Sequence, residues 1–183
     1  MLITGLSALM LAVVDPNPFL FAVGIFSLYL VFTGSRLWGP MDAEADAGWS
    51  TDRTGREITL CCLNATLRDW ACFGRLYLEG GVHEGQQIVP ADWVTASVNP
   101  DAPHRQPGDN PASHWTFGYG YQWWIPKNPQ GDFVAIGVWG QYAYIDTARE
   151  IVIVKTRADP IFDDNGHESV AAFRAIARAV AGE

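Results

Sequence analysis

GVWGQYAYIDTAREIVIVKT, residues 137–156, is the stretch on which the fold is decided. Gln141–Asp146 and Ile151–Thr156 are both rich in β-branched and aromatic residues, and only Thr-Ala-Arg-Glu separates them. Two strands joined by so short a turn must pair antiparallel. Upstream, Phe133–Trp139 and Gly118–Trp124 read as further strands, linked by Lys-Asn-Pro-Gln-Gly-Asp at 127–132. The spacing therefore predicts an antiparallel meander over residues 118–156.

Helices flank this meander on both sides in sequence. His167–Val180 places Val170, Phe173, Ile176, Ala177 and Val180 on one face, which predicts an amphipathic helix. Thr66 is a good N-cap and Asp69 supplies an acidic first turn, so Leu67 to Leu78 is predicted to be helical, with Gly80-Gly81 ending it. Pro90 opens a second helix, Ala91–Ser97. Residues 99–114, with four prolines, read as a long irregular loop. Two helices, a meander and a terminal helix make an α+β arrangement.

Composition narrows the function. A chain of 183 residues that is 49% apolar and 13% aromatic can build a core and is not a disordered segment. The net charge is −8, and Lys127 and Lys155 are its two lysines. No basic patch is visible, which excludes a nucleic-acid binder. The cysteines are Cys61, Cys62 and Cys72, an odd number without Cys-x-x-Cys spacing. Buried free thiols are expected, with a Cys62–Cys72 bridge as the alternative. His83, His104, His114 and His167 have no metal-ligand spacing, and no metal or cofactor is expected. Asp69 reads as a helix-start residue, and Asp163-Asp164-Asn165-Gly166 as a capped turn.

Residues 1–38 differ sharply from the rest, carrying only Asp15 and Arg36 as charged side chains. Asp-Pro-Asn-Pro at 15–18 divides two apolar runs, Leu2–Val14 and Phe19–Thr33. A signal peptide fits poorly, because a basic leading region is lacking. Two readings stay open: a membrane helix over about 17–36, or a hydrophobic helical hairpin packed on a soluble domain. The location is membrane-associated on the first and cytoplasmic on the second. The segment 23–36, VGIFSLYLVFTGSR, resembles part of small multi-helix bacterial membrane proteins. The expected organisation is thus a hydrophobic segment, 1–38, followed by a domain over 41–183.

Four blocks in order carry a more specific pattern: LNATLRDWACFGRLYLEGG (63–81), GQQIVPADWVTAS (85–97), GYGYQWW (118–124) and the 137–156 stretch. Together they resemble the C-terminal part of serine β-lactamase-like hydrolases, in the branch of 6-aminohexanoate-dimer hydrolase and related esterases. The resemblance covers about 41–183. It implies a partial β-lactamase/transpeptidase-like fold, an antiparallel sheet with flanking helices, here preceded by hydrophobic helices. It also implies acyl-enzyme hydrolysis of a small-molecule amide or ester by a Ser-x-x-Lys nucleophile with a later Tyr-x-Asn.

The chain departs from that pattern. Three positions after its seven serines stand Met10, Leu30, Trp38, Arg53, Pro100, Thr116 and Ala172, and none is lysine. No Tyr-x-Asn occurs. A weak hydroxyl nucleophile needs a neighbouring base, so no catalytic residue is assigned. The resemblance makes Val138, Trp139 and Gly140 an active-site strand and the amide of Gln141 an oxyanion-hole candidate. Tyr119, Tyr121, Trp124 and Trp139 are substrate-pocket candidates. A chain with only part of such a domain is expected to be silent alone and to self-associate through exposed apolar surface. A non-catalytic binding module anchored to a membrane, or half of a two-chain hydrolase, is the alternative.

Overall fold

The computed structural model describes residues 34–55, 58, 62–109, 111 and 114–183. The hydrophobic helices expected over residues 1–38 lie outside the described residues up to position 33. No helix among the described residues is long and apolar enough to cross a membrane. The chain divides into two compact units at Ala43–Glu44. In the first unit Gly34–Trp38 forms one wide helical turn, and the Gly39 amide donates to the Gly34 carbonyl at 3.0 Å.

The second unit runs in the predicted order. β1 (Gly48–Trp49) pairs with β2 (Leu63–Asn64), then α1 spans Leu67–Leu78. β3 (Val82–His83) and β4 (Gln86–Gln87) form a small hairpin before α2 (Ala91–Val98). A five-stranded antiparallel meander follows: β5 (Gly118–Tyr119), β6 (Trp124–Ile125), β7 (Asp132–Gly137), β8 (Gln141–Asp146) and β9 (Ile151–Lys155), hydrogen-bonded in that order. α3 (Gly166–Ala181) closes the chain. The long loop contains one turn of 3-10 helix at Pro103–Arg105.

Alternation along the strands sends side chains to two cores. One face of the sheet buries Trp123, Ile125, Phe133, Ala143 and Ile145 with Tyr77 of α1 and Val94 of α2. The other buries Phe117, Val134, Tyr142 and Tyr144 beneath Val170, Phe173 and Ala177 of α3. Helix, sheet and helix therefore form three layers.

The start of α1 follows from its first residues. Thr66 Oγ1 accepts the Asp69 amide at 3.1 Å and its hydroxyl donates to Asp69 Oδ2 at 2.7 Å. Asp69 Oδ1 accepts the Glu44 amide at 2.7 Å. The Thr66 hydroxyl first, then the Glu44, Ala45 and Thr66 amides, outweigh burial and hold the Asp69 carboxyl below the usual carboxylate range. Thr66→Ala should lower stability by about 1 kcal/mol in urea unfolding, with the unfolding slope unchanged.

Two predicted strands are shorter than the sequence pattern implied. Gly118–Trp124 is a hairpin, not one strand: the Gly120 amide donates to the Trp123 carbonyl at 2.8 Å, and Gln122 is left-handed with φ 68°. Tyr119 then stands opposite Trp124 across the turn. The strand expected over Phe133–Trp139 stops at Gly137, because Trp139 (φ 70°) and Gly140 (φ 78°) reverse the chain. The cysteines also differ from expectation. Cys62 is disulfide-bonded, and Cys72 takes no part in a disulfide.

Candidate functional site at the β7–β8 turn

Gly137 pairs with Gln141, so Val138, Trp139 and Gly140 form a three-residue reversal between β7 and β8. They are not on a strand, as the resemblance had implied; the left-handed backbone at Trp139 and Gly140 cannot continue a ladder. Gln141 is the first residue of β8. Val138 is 57% and Trp139 51% exposed, so the tip presents apolar surface to solvent.

A second segment braces this tip. The Asp159 amide donates to the Trp139 carbonyl at 3.0 Å. The Trp139 ring lies 6.2 Å from that of Phe162, with exposed Ile161 beside it in sequence. A side chain at Gly140 would meet Asp159 Cβ at 3.5 Å and Phe162 Cβ at 3.7 Å, and its φ suits glycine. Asp159 itself is buried. It accepts Asn165 Nδ2 at 2.6 Å and the Ile161 amide at 3.1 Å, and pairs with Arg157 at 3.1 Å. Asp159 and Phe162 escaped the sequence reading, which places Asn165 only in the turn before α3. Their signal is only Asp159-Pro160 and Asn165-Gly166, turn dipeptides that say nothing of a neighbour twenty residues earlier.

The pocket candidates do not converge. Tyr119 and Trp124 pack across the β5–β6 hairpin with tilted rings, centroids 4.6 Å apart. Trp124 continues into Trp115 at 5.4 Å and packs against the α3-side core. Tyr121, 45% exposed, turns away to Trp93 of α2 at 5.0 Å. Two clefts are present elsewhere. One of about 280 Å³ beside α3 is lined by Thr116, Lys127, His167, Arg174 and Arg178. One of about 460 Å³ lies between the long loop and Phe133. Neither includes the turn or the three aromatic candidates. In the first, Thr116 Oγ1 and His167 Nε2 are 3.0 Å apart, and burial, then His114, lowers the His167 pKa.

A serine and a lysine do meet in the fold. Lys155 Nζ donates to Ser169 Oγ at 3.4 Å and stands 4.9 Å above the Tyr142 ring. Ser169 is 8% exposed, and Tyr142 Oη is buried without a hydrogen-bond partner among the described residues. The contact is long, and Ser169 is buried with its hydroxyl turned to the sheet, so the pair links β9 and α3.

At the far end of the sheet, Arg174 of α3 reaches Asp132 at 2.7 and 3.0 Å, and Tyr144 Oη donates to the same carboxylate at 3.1 Å. Burial opposes ionisation of Asp132, but Arg174, the Gln130 amide and Tyr144 hold its carboxyl below the usual range. Burial and then the nearby Asp132 and Asp146 charges push the Tyr144 hydroxyl well up. Arg149 pairs with Asp146 at 3.1 Å and Glu183 at 2.8 Å, tying the β8–β9 turn to the end of the chain.

No family model matches this chain. Over 133 residues it is 32% identical to 6-aminohexanoate-dimer hydrolase of Paenarthrobacter ureafaciens, a match covering 72% of this chain and 34% of that protein. A solved structure from Bacillus anthracis, provisionally assigned as a 6-aminohexanoate-dimer hydrolase, superposes with a TM-score of 0.68 at 32% identity, over 81% of this chain and 37% of that one. The fold is α+β, and in sequence and structure the chain is similar to part of these hydrolases. Residues from about 41 to 183 carry the resemblance, to the C-terminal part of 6-aminohexanoate-dimer hydrolases. The chain spans about a third of the length of these relatives.

Proposed function

We propose that this chain carries the substrate-facing, oxyanion-side portion of an amide or ester hydrolase and does not turn over by itself. The observation behind this reading is a combination. The sequence and fold follow hydrolase relatives at 32% identity, yet the 183 residues contain no Ser-x-x-Lys. The role of the β7–β8 turn follows from its chemistry. Left-handed Trp139 and Gly140 turn the backbone outward, and the resemblance gives the oxyanion role to the amide of Gln141, which pairs with Gly137 at the start of β8. Val138, Trp139 and Ile161 supply an exposed apolar rim for the carbon chain of a small amide or ester. Preorganised donors without a nucleophile stabilise an intermediate that never forms.

The test is hydrolysis of p-nitrophenyl acetate and butyrate by the 183-residue chain, with a fluorophosphonate probe alongside. Background rates and no labelled serine are expected. Turnover with label on any serine, Ser169 above all, sinks the proposal.

Two other readings share this fold: a non-catalytic binding module, and one half of a two-chain hydrolase. The exposed patch of Val138, Trp139 and Ile161 favours a covering partner or ligand in either. Gain of esterase activity on adding a second chain that supplies Ser-x-x-Lys separates them.

A further inference from the structure

We infer that the cleft beside α3 is a binding site for a small amphiphilic carboxylate, with the carboxylate at its rim between Lys127 and Arg178 and the carbon tail on its floor. This goes beyond the hydrolase reading and does not depend on it.

The cleft is set between one face of α3 and the β6–β7 loop. His167, Ala171, Arg174 and Arg178 recur at helical spacing, so a single stripe of α3 forms one wall. Lys127 and Gln130 of the loop stand across from it. The volume of about 280 Å³ is at the small end for ligand pockets and suits one small molecule. The chain has 12 basic residues against 20 acidic ones. Three of the basic residues, Lys127, Arg174 and Arg178, line this one cleft together with His167, and no described residue lining it is acidic. A cleft of one sign in a chain of the other draws in an anion.

The cations differ in how firmly they are held. Arg174 contacts both oxygens of Asp132 and the Asn128 carbonyl, so it is wall and not rim. Lys127 donates to Asp109, whose side chain is 81% exposed. An exposed ion pair contributes little, so a ligand carboxylate can take the place of Asp109. Arg178 is exposed, one turn beyond Arg174. Deeper in the cleft lie the paired Thr116 hydroxyl and His167 imidazole. Burial and then His114 keep the His167 pKa below its ordinary value, and a carboxylate brought beside it would raise it again. The floor is apolar: Phe117 and Val170 are buried, with Pro126 and Ala171 beside them. Cations at the rim and an apolar floor match a carboxylate with an aliphatic tail. An amine of the same length would face like charges, and a bare anion would leave the floor unused.

The test is titration of the full chain at pH 7 with hexanoate, acetate and hexylamine. Binding is read from the proton NMR signal of the His167 ring, assigned with His167→Gln. Hexanoate should give a saturable shift and raise the His167 pKa. Acetate should bind at least about fivefold more weakly, for want of the buried methylenes, and hexylamine should not bind. Arg178→Ala should weaken hexanoate binding about fivefold, whereas Arg68→Ala, which removes an exposed cation of α1, should leave it unchanged. Asp109→Asn should tighten it about twofold by freeing Lys127. No saturable shift, hexylamine or acetate binding as well as hexanoate, or unaltered binding in Arg178→Ala overturns the proposal.

Discussion

Arg174→Ala is expected to destabilise the fold by about 3 kcal/mol, because it leaves a buried carboxylate without its cation. Asp132 is 2% exposed and Arg174 contacts both of its oxygens. The guanidinium also donates to the Asn128 carbonyl at 3.1 Å, so the substitution frees α3 from the β6–β7 loop as well. The pH dependence gives the mechanism away. In the parent chain the Asp132 carboxyl titrates below its ordinary 3.8, so its contribution is complete above that value and is lost as pH falls through the lowered pKa. With Arg174 removed, burial dominates and the carboxyl titrates higher. The gap between variant and parent should therefore shrink as pH falls toward 4 and below. Urea unfolding at pH 7 and pH 4 measures both quantities. Arg174→Lys should recover only part of the loss, since a point charge cannot span two oxygens. A gap that is constant with pH would assign the effect to lost packing instead.

Gly120→Ala should cost a similar amount, about 3 kcal/mol, through the backbone. A Cβ at this buried position would overlap the carbonyl group of Ser97, whose carbon lies 2.7 Å away. That carbonyl accepts the Tyr121 amide at 3.1 Å, so relief requires the α2 C-terminus and the β5–β6 hairpin to part. Trp123, three residues on and 2% exposed, would lose its packing on Tyr77 and Phe133 at ring distances of 4.6 and 5.0 Å. Thermal unfolding by near-ultraviolet circular dichroism reads both events. Gly108→Ala, where a Cβ meets nothing within 4 Å, is the control and should be near neutral.

The comparison of pattern with structure divides by range of interaction. α1 begins after Thr66, β8 spans Gln141–Asp146, and α3 covers the predicted amphipathic run, because caps and periodicity are written in adjacent residues. The strand predicted over 118–124 failed where Gly120 meets Ser97, a contact that residue spacing does not encode. Aromatic alternation there suggested one surface. The hairpin instead sends Tyr121 to α2 and Trp124 to the α3 side. For the candidate site, the sequence pointed to residues 138–141 through their resemblance to hydrolases. It did not reveal that they form an exposed reversal.

From the sequence alone came the element order, the antiparallel meander, the relation to β-lactamase-like hydrolases and the lack of Ser-x-x-Lys. Each depends on residue identity, local periodicity or motif order. The tertiary structure alone decided that Asp159 and Phe162 brace the β7–β8 turn and that Lys155 meets Ser169. Those facts depend on which distant segments a folded chain brings within a few ångströms, and short-range pattern carries no record of that distance.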